Sequence, residues 1–119
     1  MHTYDSHGKR PSWTRSPRTR ARRNARVVIG VHGEIDAMNV GRVGHRLRAR
    51  VRLAPVTAHV VMDCSDLTFV DSCGLLLFAQ IQRDADTDDK LLTWRNVSQS
   101  ARSVIHILAL DRVMKIEAN

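Results

Sequence analysis

The stretch that decides the fold covers residues 60–80 and reads VVMDCSDLTFVDSCGLLLFAQ. It opens with a short apolar run ending at Asp63, which is typical of a buried strand. A polar turn follows, and then a second short apolar segment from Leu67 to Val70. The Leu- and Ala-rich residues beyond it favour a helix that starts near Ser72. A strand that leads small polar residues to a helix N-terminus predicts a binding site, because free backbone N–H groups there favour an anion.

The segments around this stretch alternate between strand-like and helix-like patterns. Strands are predicted at residues 26–32, 59–63, 91–97 and 113–116, and helices after Asp36 or Asn39, at Ser72 and after Ser98. The first strand is nearly continuous in β-branched residues, so we expect it at a central position in the sheet. Several aspartates oppose the macrodipole of the second helix, which should therefore end by about Asp86. The alternation predicts an α/β domain with a sheet covered by helices.

The charge of the chain is unevenly distributed. Residues 1–26 hold eight basic side chains and one acidic side chain, which accounts for the net charge of +7 of the 119 residues. This segment contains Pro11 and Pro17 and has no apolar periodicity, so we expect a disordered or loosely attached basic tail. A short edge strand between Ser12 and Thr19 is the alternative. Residues 27–119 are then expected to form one neutral domain.

Composition argues against several other classes of protein. No apolar run approaches the roughly 18 residues of a membrane span, and no apolar segment follows the basic N-terminus as in a secretory signal. The two cysteines, Cys64 and Cys73, do not make a disulfide framework, and free thiols suit a cytoplasmic protein. The six histidines show no ligand spacing with these cysteines, and no Gly-rich phosphate loop is present. The sequence therefore predicts no metal and no cofactor.

Nucleophilic catalysis is also not predicted. Asp71, Ser72 and His106 are the residue types that such chemistry needs, but the chain has no G-x-S-x-G elbow. His106 is predicted to lie on a separate helix. We therefore expect no catalytic residues.

Three motifs together resemble the STAS family, which includes the anti-sigma factor antagonists and related domains of sulfate transporters. They are DLTFVDSCGL at residues 66–75, GEID at 33–36, and VSQSAR at 97–102 followed by LDRV at 110–113. They stand in the family's order and at its spacing, over about residues 27–117. The resemblance implies a single STAS-like domain, with a small mixed β-sheet of about four to five strands covered by about three α-helices.

The resemblance also implies a function. Antagonists of this family are non-enzymatic bacterial proteins that bind an anti-sigma factor of the GHKL serine kinase type by partner switching, and so regulate sigma-dependent transcription. The family's phosphoacceptor is the second hydroxyl residue of D-S-S/T-G, and here Cys73 occupies that position beside Ser72. Because a serine kinase positions an alcohol, we expect no phosphate transfer to Cys73. The implied partner-binding residues are Asp36, Asp71, Ser72, Cys73, Gly74 and Leu75.

Other interpretations stay open from the sequence. We expect Cys73 to be a small buried substitute for serine or alanine, and the alternative is a redox role with Cys64. Asp36 and Asp71 could equally cap helices or form turns. The second functional hypothesis is an orphan STAS module that senses a small ligand or redox state, or is attached to a transporter or signalling complex. Nucleic-acid binding is expected only through the Arg-rich tail, and a homodimer remains an option.

Overall fold

The computed structural model describes residues 25–118. The predicted tail lies outside the described residues, except for Ala25 and Arg26, and Arg26 already begins the first strand. The strands are β1 (Arg26–Gly30), β2 (Gly33–Ile35), β3 (His59–Asp63), β4 (Leu67–Val70) and β5 (Leu91–Arg95). The helices are α1 (Val40–Leu53), α2 (Ser72–Thr87) and α3 (Gln99–Ile107), followed by a 3-10 helix (Leu110–Arg112). The predicted α/β class and the three helices are confirmed.

The described strands form two small parallel sheets. One has the order β1-β3-β5, and the other pairs β2 with β4. Within residues 25–118 the middle position belongs to β3, and β1 pairs with β3. The apolar run of β3 is buried on both faces, whereas Val28 of β1 is 47% exposed.

The second sheet continues the first after a bend. Gly30 pairs with Asp63 at the end of one ladder, and Gly33 pairs with Leu67 at the start of the next. The connection from β3 to β4 is thus one residue longer than the connection from β1 to β2 between these two pairs. The register shifts again between Gly33 and Glu34. Gly33 has a φ of 79°, which glycine adopts without a steric penalty. The strand predicted at residues 26–32 therefore ends at Gly30, and the short strand β2 occupies Gly33–Ile35, where the sequence predicted a turn.

The core lies between the three-stranded sheet and the helices. Trp94 of β5 has no exposed surface, and its ring stacks on Phe78 of α2 with 4.6 Å between centroids. The fully buried Gln82 accepts from the Trp94 indole N–H at 2.8 Å and donates to the backbone oxygen of Leu92 at 3.1 Å. Because a buried amide must be hydrogen-bonded, Gln82 fixes α2 against β5.

Two predicted boundaries move at the C-terminal side. The strand predicted at residues 113–116 is reduced to a single bridge between Ile116 and Trp94, because the 3-10 helix occupies the chain just before it. The strand predicted to reach Val97 ends at Arg95, since Asn96 takes a left-handed conformation with a φ of 60°. In the part of the chain that the structure describes, no helix is long and apolar enough to cross a membrane.

Candidate functional site

Asp71 holds together the two segments on which the candidate site is built. Its carboxylate accepts from the backbone N–H of Gly74 at 3.0 Å, which caps α2, and from the N–H of Ala37 at 3.1 Å. Its own backbone N–H donates to the carbonyl of Ile35 at 3.1 Å. The start of α2 is thereby fixed beside the loop after β2. The helix-capping role expected for Asp71 is present, and it extends to a second segment of the chain.

The loop after β2 is ordered by a reciprocal pair of polar side chains. One carboxylate oxygen of Asp36 accepts from the backbone N–H groups of Met38 and Asn39 at 2.9 and 3.2 Å. In return, the side-chain oxygen of Asn39 accepts from the backbone N–H of Asp36 at 2.9 Å. Asn39 is the N-cap residue of α1 by position, but its side chain makes no capping bond. Asp36 and Asn39 thus shape the loop that presents Ala37 to Asp71.

The first turn of α2 presents two of the predicted site residues outward and two inward. Ser72 and Cys73 are exposed, whereas Gly74 and Leu75 are buried, with Leu75 only 1% exposed. The expected burial of Cys73 is therefore wrong. The inward positions of this turn belong to Gly74 and Leu75, and the two residues before them point to solvent. Gly74 and Leu75 can support the site from below but offer no side chain to a partner.

The second cysteine lies in a different environment. Cys64 is only 4% exposed, and burial, with a smaller contribution from the negative charge of Asp63, raises the pKa of its thiol to about 12. A thiol with such a pKa is almost entirely protonated near neutral pH and is a poor nucleophile. Both cysteines are free thiols. Of the two thiols proposed for a redox role, only Cys73 is accessible from solution.

A cluster of polar side chains lies at the carboxyl ends of β3 and β5. The Asp63 carboxylate accepts from the side-chain amide of Asn96 at 3.0 Å and from the backbone N–H of Ser65 at 3.0 Å. These bonds, with Arg95 at 3.3 Å, lower the pKa of Asp63 to about 2. The ionised carboxylate holds the turn between β3 and β4, which leads to the start of α2.

The structure does not bring His106 into this site. Its Nδ1 lies 2.9 Å from a carboxylate oxygen of Asp111, on the segment after α3. Among residues 25–118, no three histidine, cysteine or acidic side chains lie close enough together to hold a metal ion. The arrangement around Asp71 is therefore one of backbone hydrogen bonds and exposed small side chains. It is suited to contact with another surface.

Two exposed apolar residues next to the predicted site were missed by sequence reasoning. Met38, in the loop after β2, is 92% exposed, and Leu76, in the first turns of α2, is 50% exposed. Leu76 follows the buried Leu75, so a helical wheel of α2 could have placed it off the core stripe. Met38 carries no periodic signal, because it lies in a loop. Together with Cys73 they give the site an apolar component.

An open groove between α1 and α2 begins at Cys73. It has a volume of about 640 Å³, and its lining includes Gly41, His45, Arg48, Cys73, Leu76 and Gln80. Arg48 donates to the side-chain oxygen of Gln80 at 3.0 Å, while the Nε of Arg48 is buried without a hydrogen-bond acceptor. The surface around Cys73 is thus continuous with a basic groove.

Comparison with known proteins places this arrangement in a family. A family model described as "Mlab, STAS domain" matches residues 19–116. The anti-sigma factor antagonist SpoIIAA in its unphosphorylated form is 22% identical with a TM-score of 0.59, and the match covers 80% of this chain and 82% of that one. RsbS of Moorella thermoacetica is 19% identical with a TM-score of 0.63, and the match covers 81% of each chain.

The same fold occurs beyond these two proteins. A sulfate transporter family protein from Wolinella succinogenes is 10% identical with a TM-score of 0.61, and the match covers 76% of this chain and 75% of that one. At these identities the structural likenesses establish the fold, while the family model covers most of the chain. The chain belongs to the STAS domain family.

Proposed function

We propose that this protein is a non-enzymatic anti-sigma factor antagonist of the bacterial cytoplasm. It binds an anti-sigma factor of the GHKL serine kinase type by partner switching, and so regulates sigma-dependent transcription. One observation carries the proposal: Asp71 fixes the exposed turn of Ser72 and Cys73 against the loop after β2. This is the segment in which the sequence resembles the antagonists.

The proposed contact surface combines the exposed residues of the two segments that Asp71 joins. Ser72, Cys73, Leu76 and Met38 supply side chains, while Asp36 and Asp71 fix the backbone that presents them. Gly74 and Leu75 contribute through packing. Apolar side chains surrounded by polar groups are typical of a docking surface, because they gain most when a partner removes them from water.

Cys73 gives the proposed switch a distinctive property. A phosphate on the corresponding hydroxyl would add about −1.5 to −2 charges to this surface. A thiol at the same place is not the group that a serine kinase positions. We propose that the protein stays competent to bind its partner in the presence of ATP. Oxidation of the exposed thiol would be the alternative means of control.

The test combines binding with phosphate transfer. The full chain is titrated with the anti-sigma factor kinases of its host by calorimetry, and each kinase that binds is then incubated with the protein and labelled ATP. We expect binding by at least one kinase, no label on the wild-type protein, and label on Cys73→Ser. Label on the wild-type protein at Ser72 would refute the assignment of Cys73 as the acceptor position, and the absence of any binding kinase would refute the function.

The second candidate function is a STAS module that senses a small ligand or redox state, or that attaches to a transporter or signalling complex. The exposed free thiol of Cys73 favours the redox form of this hypothesis. If the reduced and the peroxide-treated protein bind the kinase with the same affinity, redox sensing is argued against. A loss of binding that thiol reductant restores would support it.

A further inference from the structure

Helix α1 has an unusual balance of charge. Its 14 residues include no acidic side chain and five arginines, which are Arg42, Arg46, Arg48, Arg50 and Arg52. The ion pairs between described residues involve Arg26, Arg95, Lys115, His59 and His106, and none of them involves α1. Five cations on one helix repel each other, and an anionic partner would relieve that repulsion.

The arginines of α1 face two different surfaces. Arg48 and Arg52 line the groove between α1 and α2. Arg46 and Arg50 line a separate depression on the other side of the helix, toward the loop after β1. Only the groove side combines cations with exposed apolar surface, because Leu76 lies half-exposed on its α2 wall. The two sides can therefore be tested against each other.

The walls of the groove define the kind of segment that fits. Gly44 allows α1 and α2 to approach, since a Cβ there would lie 2.8 Å from a methyl carbon of Leu77. Both walls are helices, whose backbone N–H and C=O groups are paired internally and offer no ladder to an extended peptide. A third helix can instead pack its side chains into such a groove.

We propose that this groove binds an acidic amphipathic helix of the partner protein. Its apolar side chains would pack on Leu76 and the glycines of α1, and its carboxylates would pair with His45, Arg48 and Arg52. The α2 wall contributes no charge at Cys73, Leu76 or Gln80, so the end of the groove near Cys73 is cationic. Farther along the same two helices, Asp84 of α2 and Asp88 just after it line a second depression with Arg48 and Arg52. The proposal rests on the proposed function, because it describes the partner that docks beside Cys73.

The first arm of the test uses a peptide probe and the full chain. A labelled peptide of about 18 residues, long enough to form a helix, carries Leu at positions i, i+3 and i+4 and Glu on the remaining face. Its controls are a scrambled peptide of the same composition, a peptide with Lys in place of Glu, and a labelled DNA duplex. We expect the acidic amphipathic peptide to bind most tightly, and its affinity to fall as salt is raised.

The second arm compares two matched variants in the last turn of α1. Arg52→Glu and Arg50→Glu make the same change of charge on opposite sides of the helix. We expect Arg52→Glu to weaken peptide binding by about tenfold or more, as for a close charge pair at an interface, and Arg50→Glu to change it much less. Equal losses in the two variants would overturn the proposal, and so would DNA binding that Arg52→Glu weakens as much as it weakens peptide binding. So would dissociation of a homodimer of this chain by the peptide, which would mean that a second copy fills the groove.

A third arm separates this proposal from the proposed function. Both variants and Cys73→Asp are titrated with the kinase. If Cys73→Asp abolishes kinase binding but Arg52→Glu retains it, the groove is not the docking site and the proposed function stands. If the wild-type protein binds the peptide but no kinase, the groove stands and the assignment of its partner fails. Melting temperatures of all the variants check that the fold is intact.

Discussion

Gly74 packs against Val70 and Ile35 beneath the candidate site, and replacing it with alanine should destabilise the protein. A Cβ at this position would lie 2.5 Å from Cγ2 of Val70 and 3.0 Å from Cγ2 of Ile35. Carbon atoms in contact prefer about 3.5–4.0 Å, so β4 or the first turn of α2 must shift by roughly 1 Å. Overpacking of this kind costs about 1–3 kcal/mol. The gain in helix propensity on leaving glycine returns up to about 1 kcal/mol.

We therefore expect a net loss of about 1–2 kcal/mol for Gly74→Ala, which is a large part of the stability of a small domain. Gly41→Ala is the matched control, because Gly41 also lies in the first turn of a helix and its added Cβ would meet no atom within 4 Å. It should be neutral or slightly stabilising. Urea unfolding followed by circular dichroism measures both. Equal stability of the two variants would refute the reasoning.

A double variant locates the clash. Val70→Ala removes the methyl carbon that the new Cβ would meet, so Gly74→Ala should cost less in that background than in the wild-type protein. Coupling of this sign between residues in contact is what a double-mutant cycle detects. Additive losses would mean that the strain is not between these two side chains.

Three further predictions concern other contacts. Lys90→Met should lower the free energy of unfolding by about 1–2 kcal/mol, because its ammonium group donates to three carbonyls at the end of α1 at 2.7–3.2 Å; unchanged stability in urea would contradict this. Asn96→Gly, which keeps the left-handed backbone accessible, should raise the pKa of Asp63 from about 2 toward its ordinary value in an NMR titration; an unchanged pKa would assign the shift to other groups. Burial, and to a smaller extent the charge of Arg26, lowers the pKa of His59 below 6.5 in the folded protein. As the pH falls, the unfolded chain therefore binds this proton at a higher pH than the folded protein does, which favours unfolding. The melting temperature should therefore decline below about pH 6.5, and less so in His59→Gln; parallel curves would exclude His59 as the cause.

Segments with strong local sequence patterns were predictable from the sequence. The apolar run of β3 and the Leu-rich start of α2 appear at the predicted residues. The capping role of Asp71 follows from its place before a helix, and the structure adds its bond to Ala37. That bond joins residues 34 positions apart, so no local pattern could have indicated it.

The remaining features depend on contacts between distant segments. Leu67–Val70 became a strand because β2 pairs with it, although the segment alone has only a weak strand pattern. The exposure of Cys73 depends on which side of α2 faces β4, and that orientation is set by packing at Gly74. Gln82 has no local pattern that sets it apart from other polar helix residues, yet it is fully buried against Trp94. Each of these is decided by a partner that lies elsewhere in the chain.

The most direct test of the central claim adds one charge at the start of each of two helices. Cys73→Asp and Ser100→Asp place a carboxylate at the second position of α2 and α3, and both positions are exposed. A helix N-terminus favours such a charge by about 0.3–1 kcal/mol, so neither variant should unfold. Only at a contact surface must the carboxylate lose its water without gaining a partner, at a cost of about 1–3 kcal/mol.

Calorimetric titration with the anti-sigma factor kinase, together with the melting temperature of each variant, gives the decisive comparison. The account predicts that Cys73→Asp weakens binding by about tenfold or more, the equivalent of about 1.4 kcal/mol, while Ser100→Asp binds like the wild-type protein and both variants melt near its temperature. Equal affinity of the two variants, or a Cys73→Asp protein that unfolds before it loses its partner, would contradict the account.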